Sequence, residues 1–127
     1  MSDARPVAVR ERRLDYVEFA SRDPAASRRF FEQVFGWSFV DYGPDYTAFD
    51  DGRFQGGFFR AEPQTASAGG APLLVIHADD LPPMLEAVLA QGGQVVKPVF
   101  AFPGGSRFQF LEPGGNELAV WSERDAA

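Results

Sequence analysis

The sequence predicts an α+β fold made of two βαβββ modules, and three observations carry that prediction. A strand-like run, Tyr16-Val17-Glu18-Phe19-Ala20, leads through Asp23-Pro24 into a helix-like stretch that stops at Gly36. The same order returns from Leu73-Leu74-Val75-Ile76-His77 through Asp79-Asp80 to Gly92. Each copy then closes with an acidic turn, a glycine and an apolar strand: Asp51-Gly52-Arg53-Phe54 early, Glu112-Pro113-Gly114-Gly115-Asn116 late. The spacing also agrees. Asp23 and Asp80 stand 57 positions apart (80 − 23), Gly52 and Gly115 stand 63 apart (115 − 52), and a longer loop at 99–105 absorbs the difference. Order, caps and turn chemistry together mark an internal repeat.

Taken in order, residues 14–20 alternate polar with Tyr, Val and Phe and read as a strand. Asp23 is placed to cap free backbone amides, and Pro24 fits the first helical position. Ala26, Phe30 and Val34 recur on one face, Phe31 and Phe35 widen the stripe, and Gly36 supplies a left-handed stop. Residues 37–41, 46–49 and 54–60 follow as three short strands between Gly, Pro and Asp turns. The stretch 61–71 is small, polar and linker-like. In the second copy, 73–77 reads as a strand. Asp79 or Asp80 caps a helix that opens on Pro82-Pro83, carries the apolar stripe Met84, Leu85, Val88 and Leu89, and ends at Gly92-Gly93. Strands follow at 94–98, 106–111 and 117–121. The expected organisation is a polar tail at 1–13, mobile until about Leu14, and a single domain at 14–122: module one 14–60, linker 61–71, module two 72–122.

Composition narrows the function. A chain of 127 residues with 45% hydrophobic content buries one core. No apolar run approaches the roughly 20 residues of a membrane span, and the tail has no apolar centre of a secretory signal. Without cysteine there are no disulfides, thiolate metal sites or cysteine nucleophiles, which fits a cytoplasmic location. A net charge of −6 with no Lys/Arg run argues against nucleic acid and favours a neutral or cationic small molecule. The glycine pairs stand outside any phosphate-binding motif and read as turns and strand packing.

The strand-Asp-helix openings, the run Phe30-Phe31-Glu32-Gln33-Val34-Phe35-Gly36-Trp37 and the closing Glu112-Pro113-Gly114-Gly115-Asn116-Glu117-Leu118 resemble the vicinal oxygen chelate superfamily. That superfamily contains glyoxalase I, extradiol dioxygenases and bleomycin-resistance proteins. The resemblance implies that the modules form a half-open curved mixed sheet, a barrel-like groove with the helices outside. It also implies homodimers, sometimes with exchanged modules. In metal-dependent members the ligands come from the first and last strand of each module. Carried onto this chain, those positions are Tyr16, Gly56, Leu73 and Ala119, where the family pattern prefers His or Glu. Gly, Leu and Ala have no side-chain donor, and a lone phenol is a poor divalent-metal ligand, so no metal and no cofactor are expected.

Strand alternation places Tyr16 and Glu18 on the groove side and Val17 and Phe19 toward the helix. It sends Leu73, Val75 and His77 to the groove in the second copy. Glu18 is a candidate for orienting a ligand or acting as a general base, and His77 for moving a proton near neutral pH. Tyr46, Phe58, Phe108, Phe110 and Trp121 are expected to line an apolar, stacking-competent groove. Trp37, following the helix stop, is expected to be structural, and the loop at 100–105 to act as a flap. The leading expectation is a metal-free protein that buries an aromatic or amphipathic small molecule. The alternative is a lyase, isomerase or dioxygenase-type enzyme using a relocated metal or Glu18/His77 acid–base chemistry.

Overall fold

The computed structural model describes residues 10–63 and 66–124; most of the expected N-terminal tail lies outside them. The first sheet holds β1 (Tyr16–Ser21), β2 (Ser38–Asp41), β3 (Tyr46–Asp50) and β4 (Gln55–Arg60) in the order β1-β4-β3-β2. The second holds β5 (Leu74–His77), β6 (Gln94–Phe102), β7 (Gly105–Leu111) and β8 (Glu117–Ser122) in the order β5-β8-β7-β6. Helix α1 (Pro24–Phe35) follows β1 and α2 (Leu81–Ala90) follows β5. In each sheet the first strand pairs parallel with the last, and the remaining pairs are antiparallel. The repeat seen in the sequence is therefore a repeat of topology, with no closed barrel.

The local signals explain most boundaries. Asp23 accepts a capping hydrogen bond from the Ala26 amide at 3.2 Å. Gly36, at φ 73°, turns the chain out of α1 while its own N–H bonds back to Glu32. The second helix starts differently: Asp80 occupies the cap position but its side chain caps nothing, and the start is set by the prolines in the first turn.

Residues 100–105 correct the expectation of a flap. They complete β6 and its hairpin with β7. A register shift between Lys97 and Phe100 carries Pro98, which has no N–H to give, past the ladder. Pairing then resumes at Phe100↔Arg107 and runs to Phe102↔Gly105.

One core serves both modules. Phe19, Phe49 and Phe58 of the first sheet, Phe30, Phe31 and Val34 of α1, Val88 of α2 and Phe108, Phe110, Leu118 and Val120 of the second sheet form one buried cluster. Phe30 and Phe110 lie 5.7 Å apart between ring centroids, across the modules. This placement corrects Phe58, Phe108 and Phe110, which were expected in the groove. All three are 0% exposed on the helix side, where each ring removes a large apolar area from water.

A buried polar latch fixes the modules to each other. The Glu112 carboxylate accepts from Ser27 Oγ at 2.8 Å, from the Gly114 amide at 2.6 Å and from Asn116 Nδ2 at 2.7 Å. Asn116 Nδ2 also donates to the Ala20 carbonyl, and the Arg22 amide donates to Gly114 O. The Glu-Pro-Gly-Gly-Asn turn of module two is thus bonded to the end of β1 and the first turns of α1. Burial pushes the Glu112 carboxyl above its usual value, against the pull of Asn116, Gly114 and Ser27.

Glu112→Ala leaves a hydroxyl, an amide N–H and a side-chain amide without their acceptor, so denaturant unfolding should show a loss of about 3 kcal/mol. The pH dependence has a definite sign. With the folded-state pKa raised, Glu112 stabilises most below the ordinary carboxylate value of 4.5, and that contribution is lost as pH rises through the folded value. Unfolding measured across this range should show that fall in the native chain and a flatter profile in Glu112→Gln.

Candidate functional site

Each sheet keeps one face free of helices. On the first sheet the ladder aligns Tyr16 with Gln55, Glu18 with Gly57 and Ala48 with Gly57, so these residues share the open face. Tyr46 joins them. Its hydroxyl donates to Glu18 Oε2 at 2.9 Å and lies 2.5 Å from the Tyr16 hydroxyl. Because the single proton of Tyr46 goes to Glu18, Tyr16 is the donor to Tyr46. The chain Tyr16→Tyr46→Glu18 is therefore a directed relay ending on a carboxylate. Burial, then Tyr16 and Glu18, push the Tyr46 phenol far above its usual range and keep it neutral. Gly57 leaves room beneath it: a Cβ there would collide with the Tyr46 hydroxyl. The adjoining cavity of about 520 Å³ is lined by Tyr16, Tyr42, Tyr46, Ala48 and Gln55 with Arg10 and Asp15.

The open face of the second sheet is different. His77, Trp121, Arg107 and Phe100 stand in one cross-strand row over β5, β8, β7 and β6. His77 meets Trp121 edge-on at 5.3 Å between rings. Its Nε2 lies 2.8 and 2.9 Å from the two Glu123 carboxylate oxygens. That contact holds the Glu123 carboxyl below its usual range. In the neighbouring row Gln109 donates to Glu117, which also accepts from the Ser67 amide and hydroxyl. Burial pulls Glu117 upward, but the bonds from Ser67 and Gln109 prevail and hold its carboxyl below the usual value. The linker is thereby pinned to module two through a short 3-10 turn, Ser67–Gly69.

Between the modules lies a cleft of about 900 Å³. Val17, Phe19, Phe35, Trp37, Leu74 and Ile76 give it apolar walls, and Trp121, His77, Asp51 and Arg53 add the polar and amphipathic part. Trp37 is stacked at 4.6 Å from both Phe31 and Phe49, so it is structural and cleft-lining at once. The sequence-derived candidates consequently separate. Tyr16, Glu18 and Tyr46 converge on module one, His77 and Trp121 on module two, and Phe58, Phe108 and Phe110 leave the groove for the core. Shared acid–base work by Glu18 and His77 finds no common cavity among those described here.

The positions marked for metal ligands do not fit a divalent ion. Gly56 lies on the helix side, where a Cβ would strike Phe49 and the Val17 carbonyl, and the strand neighbour on the open face is Gly57. Tyr16, Gly57, Leu73 and Ala119 offer a single phenol, already bonded to Tyr46. Among the described residues, His77, Asp79 and Glu123 do bring three metal-type donors within 4.8 Å of one another, all exposed.

Sequence reasoning missed Glu123 and Arg107. The signal for Arg107 was present: with Phe108 and Phe110 assigned to the core, alternation puts Arg107 and Gln109 on the open face. Spectrophotometric titration should show one of the three tyrosines still un-ionised after the ordinary phenol value of 10.0 has been passed. Tyr46→Phe should remove that component and cost about 1 kcal/mol of stability.

Comparison with known proteins agrees with this architecture. The model of the Glyoxalase/Bleomycin resistance protein/Dioxygenase superfamily matches residues 13–120. CFP32 from Mycobacterium bovis, provisionally named a glyoxylase, is 25% identical over 115 residues, covering 84% of this chain and 44% of that protein. The chain thus spans less than half the length of this curated relative. A glyoxalase-related enzyme from Fulvimarina pelagi superposes with a TM-score of 0.72 at 22% identity, covering 87% of this chain and 88% of the other. The fosfomycin resistance protein FosX from Mesorhizobium loti superposes at 0.71 with 18% identity, covering 87% and 92%. Lactoylglutathione lyase from Agrobacterium tumefaciens superposes at 0.68 with 18% identity, covering 87% and 93%. These likenesses show a shared fold that hosts several chemistries. With a matched family model over most of its length and the paired βαβββ topology to go with it, the chain belongs to the Glyoxalase/Bleomycin resistance protein/Dioxygenase superfamily.

Proposed function

We propose that this chain is a small-molecule-binding member of its superfamily, holding an aromatic or amphipathic ligand without a metal at the family positions. The observation that carries this reading is the cleft of about 900 Å³ between the modules, whose aromatic and aliphatic walls are joined by Asp51, Arg53 and His77. That size and lining suit a drug-sized ligand. Both tryptophans of the chain, Trp37 and Trp121, line it. Their fluorescence is therefore a built-in reporter. Screening metabolites and antibiotics should give saturable quenching by an aromatic ligand, retained after exhaustive dialysis against chelator. Absence of any saturable change across such a library would refute the reading.

The Tyr16–Tyr46–Glu18 relay supports a second role for module one, as a polar anchor for a ligand group that donates or accepts hydrogen bonds. A homodimer is part of the same proposal. Both helix-bearing faces feed one core, and each sheet keeps an open face. Phe59 and Val75 are left exposed on them at 40% and 44%. Pairing module one of one copy with module two of another would cover both. Light scattering should give twice the chain mass, and Phe59→Arg should shift it toward the single-chain value.

One observation favours an enzyme instead, of lyase, isomerase or dioxygenase type: the His77–Asp79–Glu123 donor group. In the dialysed protein, stoichiometric Zn, Ni, Fe or Mn that disappears in His77→Ala would move the assignment there.

A further inference from the structure

Arg107 is the charged group that the small-molecule reading leaves unexplained. It sits half-buried on the open face of β7, directly opposite Trp121 on β8 and Phe100 on β6. Its guanidinium carbon stands 5.2 Å from the centre of the Phe100 ring and 5.7 Å from that of Phe102. The two rings, 6.4 Å apart, thus flank the guanidinium on one side and attract it. In a chain of net charge −6, where most arginines find carboxylates, Arg107 has none among the described residues. Its Nε is buried with no hydrogen-bond partner.

The next residue on the same face and strand shows a related deficit. Gln109 is 1% exposed and gives its amide N–H to Glu117, while its Oε1 has no donor. A buried guanidinium nitrogen and a buried carbonyl oxygen without partners, two residues apart on one strand face, are costly unless something complements them. Their chemistry defines the complement: an oxyanion for Arg107 and a neighbouring O–H or N–H for Gln109. Trp121, in register with Arg107, is at the same time a wall of the inter-module cleft.

We infer that Arg107, lying over Phe100 and Phe102, is an oxyanion-binding site, and that the ligand of this protein is an aromatic or amphipathic acid. The apolar body lies against Trp121 and the cleft, and the acid group meets the guanidinium fork, which matches a planar or tetrahedral oxyanion by paired N–H donors. This rests on the proposed function for the apolar end and adds the charge of the ligand. It also reverses the expectation from net charge, because a local cation resting on aromatic rings decides binding at contact distance, where the summed charge only steers.

Two dyes with the same aromatic body test it. 8-Anilinonaphthalene-1-sulfonate carries an oxyanion, and N-phenyl-1-naphthylamine is its neutral counterpart. The native chain should bind the sulfonate about tenfold more tightly, the worth of one charge-assisted contact. Arg107→Gln should abolish the preference while leaving the neutral dye's affinity unchanged, which also reports that the variant is folded. Arg107→Lys should restore part of the preference. Equal affinities in the native chain, or a preference that survives Arg107→Gln, overturn the anion site while the cleft reading stands. If neither dye binds, the cleft reading fails and the anion site falls with it.

Discussion

The relative placement of the two modules depends on a buried carboxylate. Glu112 is 2% exposed and takes hydrogen bonds from Ser27 in module one and from Gly114 and Asn116 in its own turn. Without that latch the modules would be joined by the linker and by apolar contacts such as Phe30 on Phe110, which attract without fixing an angle. With it, β1 and β5 are held at a set separation and the cleft between them has a defined size. The latch is tolerable because every donor that turns inward there ends on an acceptor.

The scaffold is duplicated but the chemistry is not. On module one the open face carries a phenol–phenol–carboxylate relay, made possible by a strand glycine that lets Tyr46 lie close to the sheet. On module two the same face carries an arginine over two phenylalanines, a tryptophan and a histidine paired with Glu123. Strand order and pairing are the same in both sheets. Backbone geometry is therefore satisfied equally by either set of side chains, leaving the groove residues free to diverge. That is also why membership in this superfamily names a fold and leaves the reaction open.

Much of the architecture was legible in the chain. Asp23, Pro24 and Gly36 bracket α1 because caps and stops act through local backbone geometry. The alternation in β1 separates Val17 and Phe19, which join the core, from Tyr16 and Glu18, since one side of that strand is polar. The strands β4 and β7 misled. Phe58 and Phe59 are adjacent and both apolar, and in β7 apolar rings alternate with Arg107 and Gln109, which can line a groove as readily as a surface. A period of two says which residues share a face but not which face is covered.

By itself the sequence determined the repeat, the βαβββ order and the limits of α1, because these rest on residue identity and on contacts within a few positions. Tertiary structure alone decided which rings became core, that Tyr46 bridges Tyr16 to Glu18, that His77 pairs with Glu123 46 positions away, and that residues 100–105 are hairpin rather than flap. The physical reason is common to all of these. Each depends on which strand lies alongside and on which face a helix covers, and that is fixed only when apolar surface from both modules is buried together in one core.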